Sequence, residues 1–314
     1  MSRIIVTGGA GNIGSALTKS LLEKPEYEVT VVDNLTTGNL NKLPQNHPRL
    51  KFIKADVNDN SELSDIMLAN RFDYVFHYAA MVGVKRTQEN PVGVLKDIDG
   101  IKHLLNLSKN TSVKRFFFSS SSEVYGEPVS IPQHEETTPL NSRVPYAVVK
   151  NVGEAFCRSF HQEYGLDYTI FRFFNTYGPG QTADFVMTKF IKLALSNEPL
   201  TIYGDGSQTR TFCYVEDNIE ATIKALKNDL FVNDVVNIGG SKIITILDLA
   251  KLIIDVTGSK SQIEHLPPLK EGDMTRRQPD NSKMKQILNR DLIGLEEGIQ
   301  LLLKDESFRS YINA

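Results

Sequence analysis

The stretch Arg3-Ile4-Ile5-Val6-Thr7-Gly8-Gly9-Ala10-Gly11-Asn12-Ile13-Gly14 packs its glycines where a β-branched apolar run gives way to a helical pattern. It satisfies G-x-G-x-x-G through Gly9, Gly11 and Gly14, and G-x-x-G-x-x-G through Gly8, Gly11 and Gly14. Glycines at this spacing permit a tight turn, let a pyrophosphate approach the backbone and let the helix pack closely on the strand. The helix start adds free N–H groups and the positive end of the helix dipole, which favours an anion. A chain that opens this way is constrained to a strand–turn–helix unit built to hold a phosphate.

The rest of the first half repeats that unit. Arg3–Thr7, Val29–Asp33, Leu50–Ala55, Tyr74–His77, Arg115–Ser119 and Tyr168–Phe174 read as strands, with little polar alternation. Strands apolar on both faces belong in a parallel sheet covered by helices on both sides. Helical spacing of apolar residues predicts helices at Ile13–Leu22, Ser61–Ala69 and Val94–Leu107. The expected fold class is α/β, a doubly wound parallel sheet of the Rossmann kind, over residues 1–175. After residue 175 Gly and Pro cluster, at Tyr177-Gly178-Pro179-Gly180, Tyr203-Gly204-Asp205-Gly206 and Pro267-Pro268. Helices are expected at Phe185–Leu195, Asn218–Leu226, Ile246–Val256 (with Thr245 as N-cap) and Leu295–Lys304. Residues 176–314 therefore read as a smaller, mixed α/β C-terminal substrate-binding region, with the chain crossing between the two parts.

Composition narrows the setting. The 314 residues carry 35 Lys+Arg against 38 Asp+Glu, so there is no basic footprint for nucleic acid. No apolar run reaches the roughly 18 residues of a membrane span, and Met1-Ser2-Arg3 enters a strand pattern at once, without a signal peptide. Cys157 and Cys213 form no metal or disulfide pattern, which fits a reducing, cytoplasmic setting. No His pair has metal spacing, so His77 reads as a strand-end packing residue and no metal is expected.

Two further constellations carry chemistry. Asp33 ends the second strand, 19 positions after Gly14, where a carboxylate can accept from the adenosine ribose hydroxyls and disfavour a 2′-phosphate; the cofactor expected is NAD. A turn-capping role is its alternative. Asp56, after the third strand, suits either the adenine edge or a turn. Tyr146-Ala147-Val148-Val149-Lys150 puts a phenol and an ammonium four residues apart on one helix face, with Pro145 marking the helix start. A phenol ionises near pH ~10, and a neighbouring Lys⁺ together with the positive nicotinamide of NAD⁺ is expected to lower that value so that Tyr146 can act as a base. Ser119, Ser120, Ser121 and Ser122 follow the fifth strand at the carboxyl edge of the sheet, where ligands bind.

Together these motifs resemble an extended short-chain dehydrogenase/reductase of the nucleotide-sugar epimerase/dehydratase family, over essentially the whole chain. Phe76-His77-Tyr78-Ala79-Ala80, Phe174-Asn175-Thr176-Tyr177-Gly178-Pro179, Tyr203-Gly204-Asp205-Gly206 leading to Arg210, Tyr214-Val215-Glu216-Asp217 and Arg276-Arg277-Gln278-Pro279-Asp280 add to the match. The resemblance implies Tyr146 as base, Lys150 on the nicotinamide ribose, Ser121 as hydroxyl partner and Glu123 as a further catalytic residue. It implies a cofactor pocket of Gly8, Gly11, Asn12, Ile13, Gly14, Asp33, Asn34, Asp56, Val57, Ala79, Ser119, Tyr146 and Lys150. A nucleotide-diphosphate sugar would be held by Ser121, Ser122, Asn175, Arg210 and Arg277, arginine forks being suited to phosphate oxygens.

Oxidation at the sugar 4-position to a ketone is the first step the resemblance implies. The 4,6-dehydratases carry Thr-Asp-Glu where this chain has Ser121-Ser122-Glu123, so their general acid is missing and dehydration is disfavoured. The Ser-Ser-Glu-Val-Tyr-Gly run, Arg86-Thr87-Gln88-Glu89-Asn90-Pro91 and Gly206-Ser207-Gln208-Thr209-Arg210 most resemble UDP-glucuronate decarboxylases and UDP-hexuronate 4-epimerases. The alternatives are net 4-dehydrogenation of a nucleotide-linked hexose or heptose, with GDP or dTDP in place of UDP, and a non-catalytic NAD-binding scaffold. Two positions depart from the family pattern: Gly180, where many relatives carry Arg, and Asp97, where Asn is usual. The helix carrying Tyr146 and the helix at Val94–Leu107 correspond to a four-helix homodimer interface in relatives.

Overall fold

The computed structural model describes residues 1–268 and 276–312. Its central sheet is wholly parallel. The strands are β1 (Ser2–Thr7), β2 (Tyr27–Asp33), β3 (Leu50–Lys54), β4 (Tyr74–His77), β5 (Arg115–Ser121), β6 (Asp167–Phe173) and β7 (Asp234–Ile238). Their spatial order is β3-β2-β1-β4-β5-β6-β7, so the winding direction reverses between β1 and β4. That reversal opens a crevice at the carboxyl ends of the strands, the usual ligand position in such a sheet.

Both faces are covered, as the unbroken apolar runs require. On one side Val6, Phe76, Phe117, Phe171 and Val236 pack with Leu17 and Leu21 of α1 (Asn12–Leu22) and with Ile219 and Ala225 of α6 (Val215–Lys227). On the other side Ile5, Val75, Phe116, Phe118 and Ile170 meet Ile66 of α2 (Asn60–Asn70), Leu104 of α3 (Asp97–Asn110), and Val149 and Cys157 of α4 (Pro145–Tyr164). Residues two apart on a strand share a face, and each fully buried Phe contributes about 1.5–3 kcal/mol. A third core gathers α5 (Val186–Leu195), α7 (Ile246–Thr257) and α8 (Leu295–Lys304) through Phe190, Leu249, Ile253, Ile299 and Leu302.

Local chemistry sets the ends of the helices that matter here. Pro145 occupies the first turn of α4, and the helix stops at Gly165 in a left-handed conformation, φ 71°. Thr245 caps α7 by accepting from Asp248 N at 2.9 Å. The helix expected at Val94–Leu107 is two pieces, Pro91–Leu95 and Asp97–Asn110, which puts Asp97 at a helix start inside the structure.

The chain crosses to the far part and comes back. β7 lies 61 residues beyond the end of β6 (173 to 234) yet pairs with it in parallel, and α6 packs on α1. Between and after these, Leu200–Tyr203 pairs with Ile263–Leu266, Thr176–Tyr177 with Cys213–Tyr214, and Thr209–Thr211 antiparallel with Ile243–Thr245. Among the described residues no helix is long and apolar enough to cross a membrane.

Candidate active site

The glycine turn lies at the end of β1, beside the crevice. Gly8 sits at φ +67°, and a Cβ there would come 2.6 Å from Ala79 N, so the position needs glycine for both backbone and space. Gly9 abuts the Val31 side chain, where an added Cβ would approach to 2.7 Å. Gly14 has no room for a Cβ against the Gly8 carbonyl. No side chain caps the start of α1 and its first turn holds no acidic residue, which leaves amide N–H groups available to an anion. Asn12 Oδ1 is buried there without a partner among the described residues. This cradle fits the pyrophosphate of a dinucleotide. At Gly180 a Cβ would fall 3.1 Å from Asn12 Cα, so the segment that follows Tyr177 lies against the cradle.

Asp33 does the turn work weighed above. Its Oδ2 accepts from Ala10 N at 3.0 Å and its Oδ1 from Leu35 N at 2.8 Å, which ties the glycine turn to the end of β2. Carboxylate oxygens have spare lone pairs, so the ribose role is compatible with these bonds. Asp56 is likewise a turn residue: it accepts from Asn58 N at 2.9 Å and from Asn34 Nδ2 at 3.2 Å. Val57 is buried beneath it and packs with the core on that face. His77, at the end of β4, shares a hydrogen bond with Thr7 Oγ1 at 2.8 Å, and burial pushes it down to about 3, so it is a neutral packing residue. Among the described residues no three His, Cys, Asp or Glu side chains are grouped to hold a metal ion.

The serines after β5 divide their work. Ser119 Oγ accepts from Lys150 Nζ at 3.3 Å, and Ser120 Oγ donates to Glu154 Oε1 at 2.6 Å. Ser121 lies beside the Tyr146 side chain, and its Oγ accepts from Glu123 N at 3.2 Å, capping the turn Ser122–Tyr125. Ser122 is buried inside that turn. Tyr146 and Lys150, on one face of α4, are thus met by Ser121 and Ser119, residues two apart on β5. Lys150 Nζ lies 5.7 Å from the Tyr146 ring centre and 5.1 Å from that of Phe118.

The chain's own groups do not by themselves lower the Tyr146 phenol. Burial dominates and pushes Tyr146 up, with Glu123 and Asp97 adding to the effect; Ser121 and Arg277 oppose it. Lys150 is itself lowered, to about 8, because its ammonium is desolvated. In the protein alone the phenol therefore keeps its proton.

Opposite, Arg277 Nη2 donates to Glu123 Oε1 at 2.5 Å, joining residues 154 positions apart. Among the described residues Arg277 Nε is buried without a partner, which suits it to an anionic ligand. The three residues expected on a diphosphate do come together. Arg210 lies on the strand Thr209–Thr211, Arg277 N donates to Thr209 O at 3.3 Å, and Asn175 Nδ2 donates to Thr211 O at 2.9 Å. Arg210 is buried, with Nη1 on Thr209 O at 2.8 Å.

Two features behind the site were not read from the sequence. One is a buried network: Arg172 donates to Glu154 through Nε at 2.8 Å and Nη2 at 2.7 Å, and to Tyr125 OH at 2.8 Å. Tyr125 OH then reaches Asn237 Oδ1 at 2.7 Å. The other is the tie of Asp97 to Met81 N at 2.7 Å and to Asn58 Nδ2 at 3.2 Å. The departure from the usual Asn at position 97 was the available signal for the second.

A parallel sheet with a glycine cradle at its switch point, and a Tyr–Lys–Ser cluster at the same edge, defines a dinucleotide-dependent oxidoreductase fold. The chain belongs to the NAD dependent epimerase/dehydratase family, which it matches over residues 4–239, and it is an NAD-dependent enzyme. It is 35% identical to UDP-glucuronic acid decarboxylase 1 of Arabidopsis thaliana over 320 aligned residues, covering 99% of this chain and 70% of that protein. Its structure is similar to UDP-glucose 4-epimerase of Thermotoga maritima, solved with UDP-glucose (TM-score 0.91, 34% identity, 99% of each chain). It is also similar to UDP-glucuronic acid 4-epimerase of Bacillus cereus, solved with UDP-glucuronic acid and NAD (TM-score 0.87, 32% identity, 99% of each chain).

Proposed function

We propose that the protein is a 4-epimerase of a UDP-sugar, working through a 4-keto intermediate. The observation that carries this reading is the convergence of Tyr146, Lys150 and Ser121 at the crevice, with a buried serine and no carboxylic acid at position 122. Gly8, Gly11, Asn12, Ile13, Gly14, Asp33, Asn34, Asp56, Val57, Ala79, Ser119 and Lys150 would hold NAD. Bound NAD supplies the chemistry of taking a hydride from the sugar C4 and giving it back.

The chain's own residues handle protons and charge. Tyr146 accepts the proton of the 4-hydroxyl and later returns it to the 4-oxygen, while Ser121 hydrogen-bonds that oxygen. Lys150 holds a positive charge beside the phenol. Asn175, Arg210 and Arg277 grip the diphosphate, so the sugar alone can turn over between the two half-reactions. Without an acid at Ser122 the ketone keeps its other hydroxyls, which argues against dehydration.

Decarboxylation is the second reading, favoured by the 35% identity to a UDP-glucuronic acid decarboxylase. A 4-keto uronate is a β-keto acid and loses carbon dioxide without an added acid. Mass spectrometry of products from UDP-glucose and UDP-glucuronate separates the two. Unchanged mass with altered retention supports epimerisation, and loss of the mass of carbon dioxide supports decarboxylation. Recovery of both sugars unaltered by NAD-loaded protein would sink both.

Residues 1–175 are the cofactor side and 176–314 the substrate side of this reading. The two buried thiols fit a cytoplasmic enzyme. We place a homodimer contact on α3 and α4, where Tyr164 is exposed with Lys109 over its ring. A single-chain mass in light scattering would contradict the dimer.

A further inference from the structure

Arg277 is buried, yet the segment that carries it, residues 276–281, belongs to no helix or strand. A guanidinium on such a segment is aimed only as well as the segment is held. On one side Arg277 N donates to Thr209 O at 3.3 Å. On the other, Gln133 N donates to Gln278 O at 2.7 Å and Asp280 N donates to Gln133 O at 2.8 Å, a backbone pairing outside the sheets. Beyond Asp280, Asn281 Nδ2 donates to Gly239 O at 2.7 Å.

Asn237 lies against this pairing, in β7 between the fully buried Val236 and Ile238. An amide in that setting is costly unless its hydrogen bonds are made, and here they are made in full. Its Oδ1 accepts from Tyr125 OH at 2.7 Å, and its Nδ2 donates to Gln133 O at 2.9 Å and to Asp280 O at 3.1 Å. Tyr125 ends the turn Ser122–Tyr125, and Glu123 of the same turn is the ion-pair partner of Arg277. The turn and the segment 276–281 are therefore joined at two places, directly through Glu123 and Arg277, and again through Tyr125, Asn237 and Asp280. One attachment would leave a hinge, whereas two fix position and rotation together. Ser121 caps the turn, so the second attachment sets Arg277 in register with the end of β5.

We propose that Asn237, through its bond with Tyr125, is a positioning residue for the nucleotide-diphosphate ligand: it seats the segment 276–281 so that the Arg277 fork meets the diphosphate. This deepens the function proposed above and rests on Arg277 as a diphosphate ligand. UDP titrated into the NAD-loaded protein in a calorimeter reads the grip without any turnover. Tyr125→Phe takes one oxygen out of the joint, while Arg172 Nη1 keeps Glu135 O and Asn237 keeps both its donated bonds. It should raise the UDP dissociation constant about tenfold and leave bound NAD unchanged. Asn237→Ser, which removes the amide, should raise it at least as much.

Arg277→Ala should raise the constant about a hundredfold, and adding Tyr125→Phe to it should raise it no further, because the joint acts through the arginine. If Tyr125 and Asn237 only stabilise the fold, their variants melt earlier with UDP affinity unaltered, which overturns the proposal. An equal loss with and without Arg277 overturns it too. Should Asn237→Ser fail to fold, Tyr125→Phe decides alone. A protein that binds UDP but turns over no sugar counts against epimerisation, and the titrations still decide the role of Asn237; an unaltered protein that binds no UDP sinks both.

Discussion

At the scale of single residues, burial is what gives the candidate site its character. Tyr146 and Lys150 were legible as a pair four residues apart, and Ser121 as a hydroxyl after a strand. Their protonation was not, because desolvation depends on what the rest of the chain places over them. Tyr146→Phe, which removes only the hydroxyl, is expected to lower kcat about 10²–10⁴-fold while NAD content stays unchanged. Steady-state rates and the cofactor released on denaturation check both halves. Arg172 and Glu154 are a second case in which burial decides. Arg172→Met leaves the Glu154 carboxylate stranded, with Arg158 its remaining cation, and should cost about 3–5 kcal/mol in urea unfolding. Glu154 is held below its ordinary value of 4.5 by Arg172 and Ser120, which outweigh its desolvation. Its stabilisation is therefore full above pH 4.5 and is lost as pH falls through the lower folded value. Glu154→Gln should flatten that acid decline, as urea midpoints across the acid range would show.

At the scale of elements, α4 carries the site because it can approach β5 closely. Gly153 faces Phe118, and a Cβ there would overlap the Phe118 ring. Gly153→Ala should cost about 1–3 kcal/mol in unfolding and lower turnover with it, since Tyr146 and Lys150 ride on the same helix. An unchanged urea midpoint would contradict this close packing. The strands β1 to β6 and most helices were readable from apolar runs and periodicity, because those patterns are local. β7 was not: Asp234-Val235-Val236-Asn237-Ile238 mixes polar and apolar residues, and its partner β6 lies far back along the chain. The break at Lys96 was also hidden, for the apolar spacing continues across it. The Glu123–Arg277 and Tyr125–Asn237 contacts join segments more than 100 residues apart, and no local pattern reports such pairs.

At the scale of the whole molecule, the return of β7 makes the two parts of the chain interdependent. Asn237 bonds Gln133 O, Asp280 O and the Glu135 carboxylate, so one strand ties the sheet to segments on both sides of it. A fragment ending at residue 228 would expose the apolar edge of β6, and we expect it to be insoluble or to unfold without a cooperative transition. A soluble fragment with a sharp melt would show that the first part folds alone. The modest net charge of −3 has its reason at this scale too. In the function proposed, anion binding is built locally, from a helix start and from Arg210 and Arg277, with no overall positive field. The central claim is that this site removes and returns hydrogen at the sugar 4-position. A UDP-sugar carrying deuterium at C4 tests it most directly. The account predicts slowed turnover and a product that keeps the deuterium at C4; loss of the label to water, or turnover that leaves C4 untouched, would contradict it.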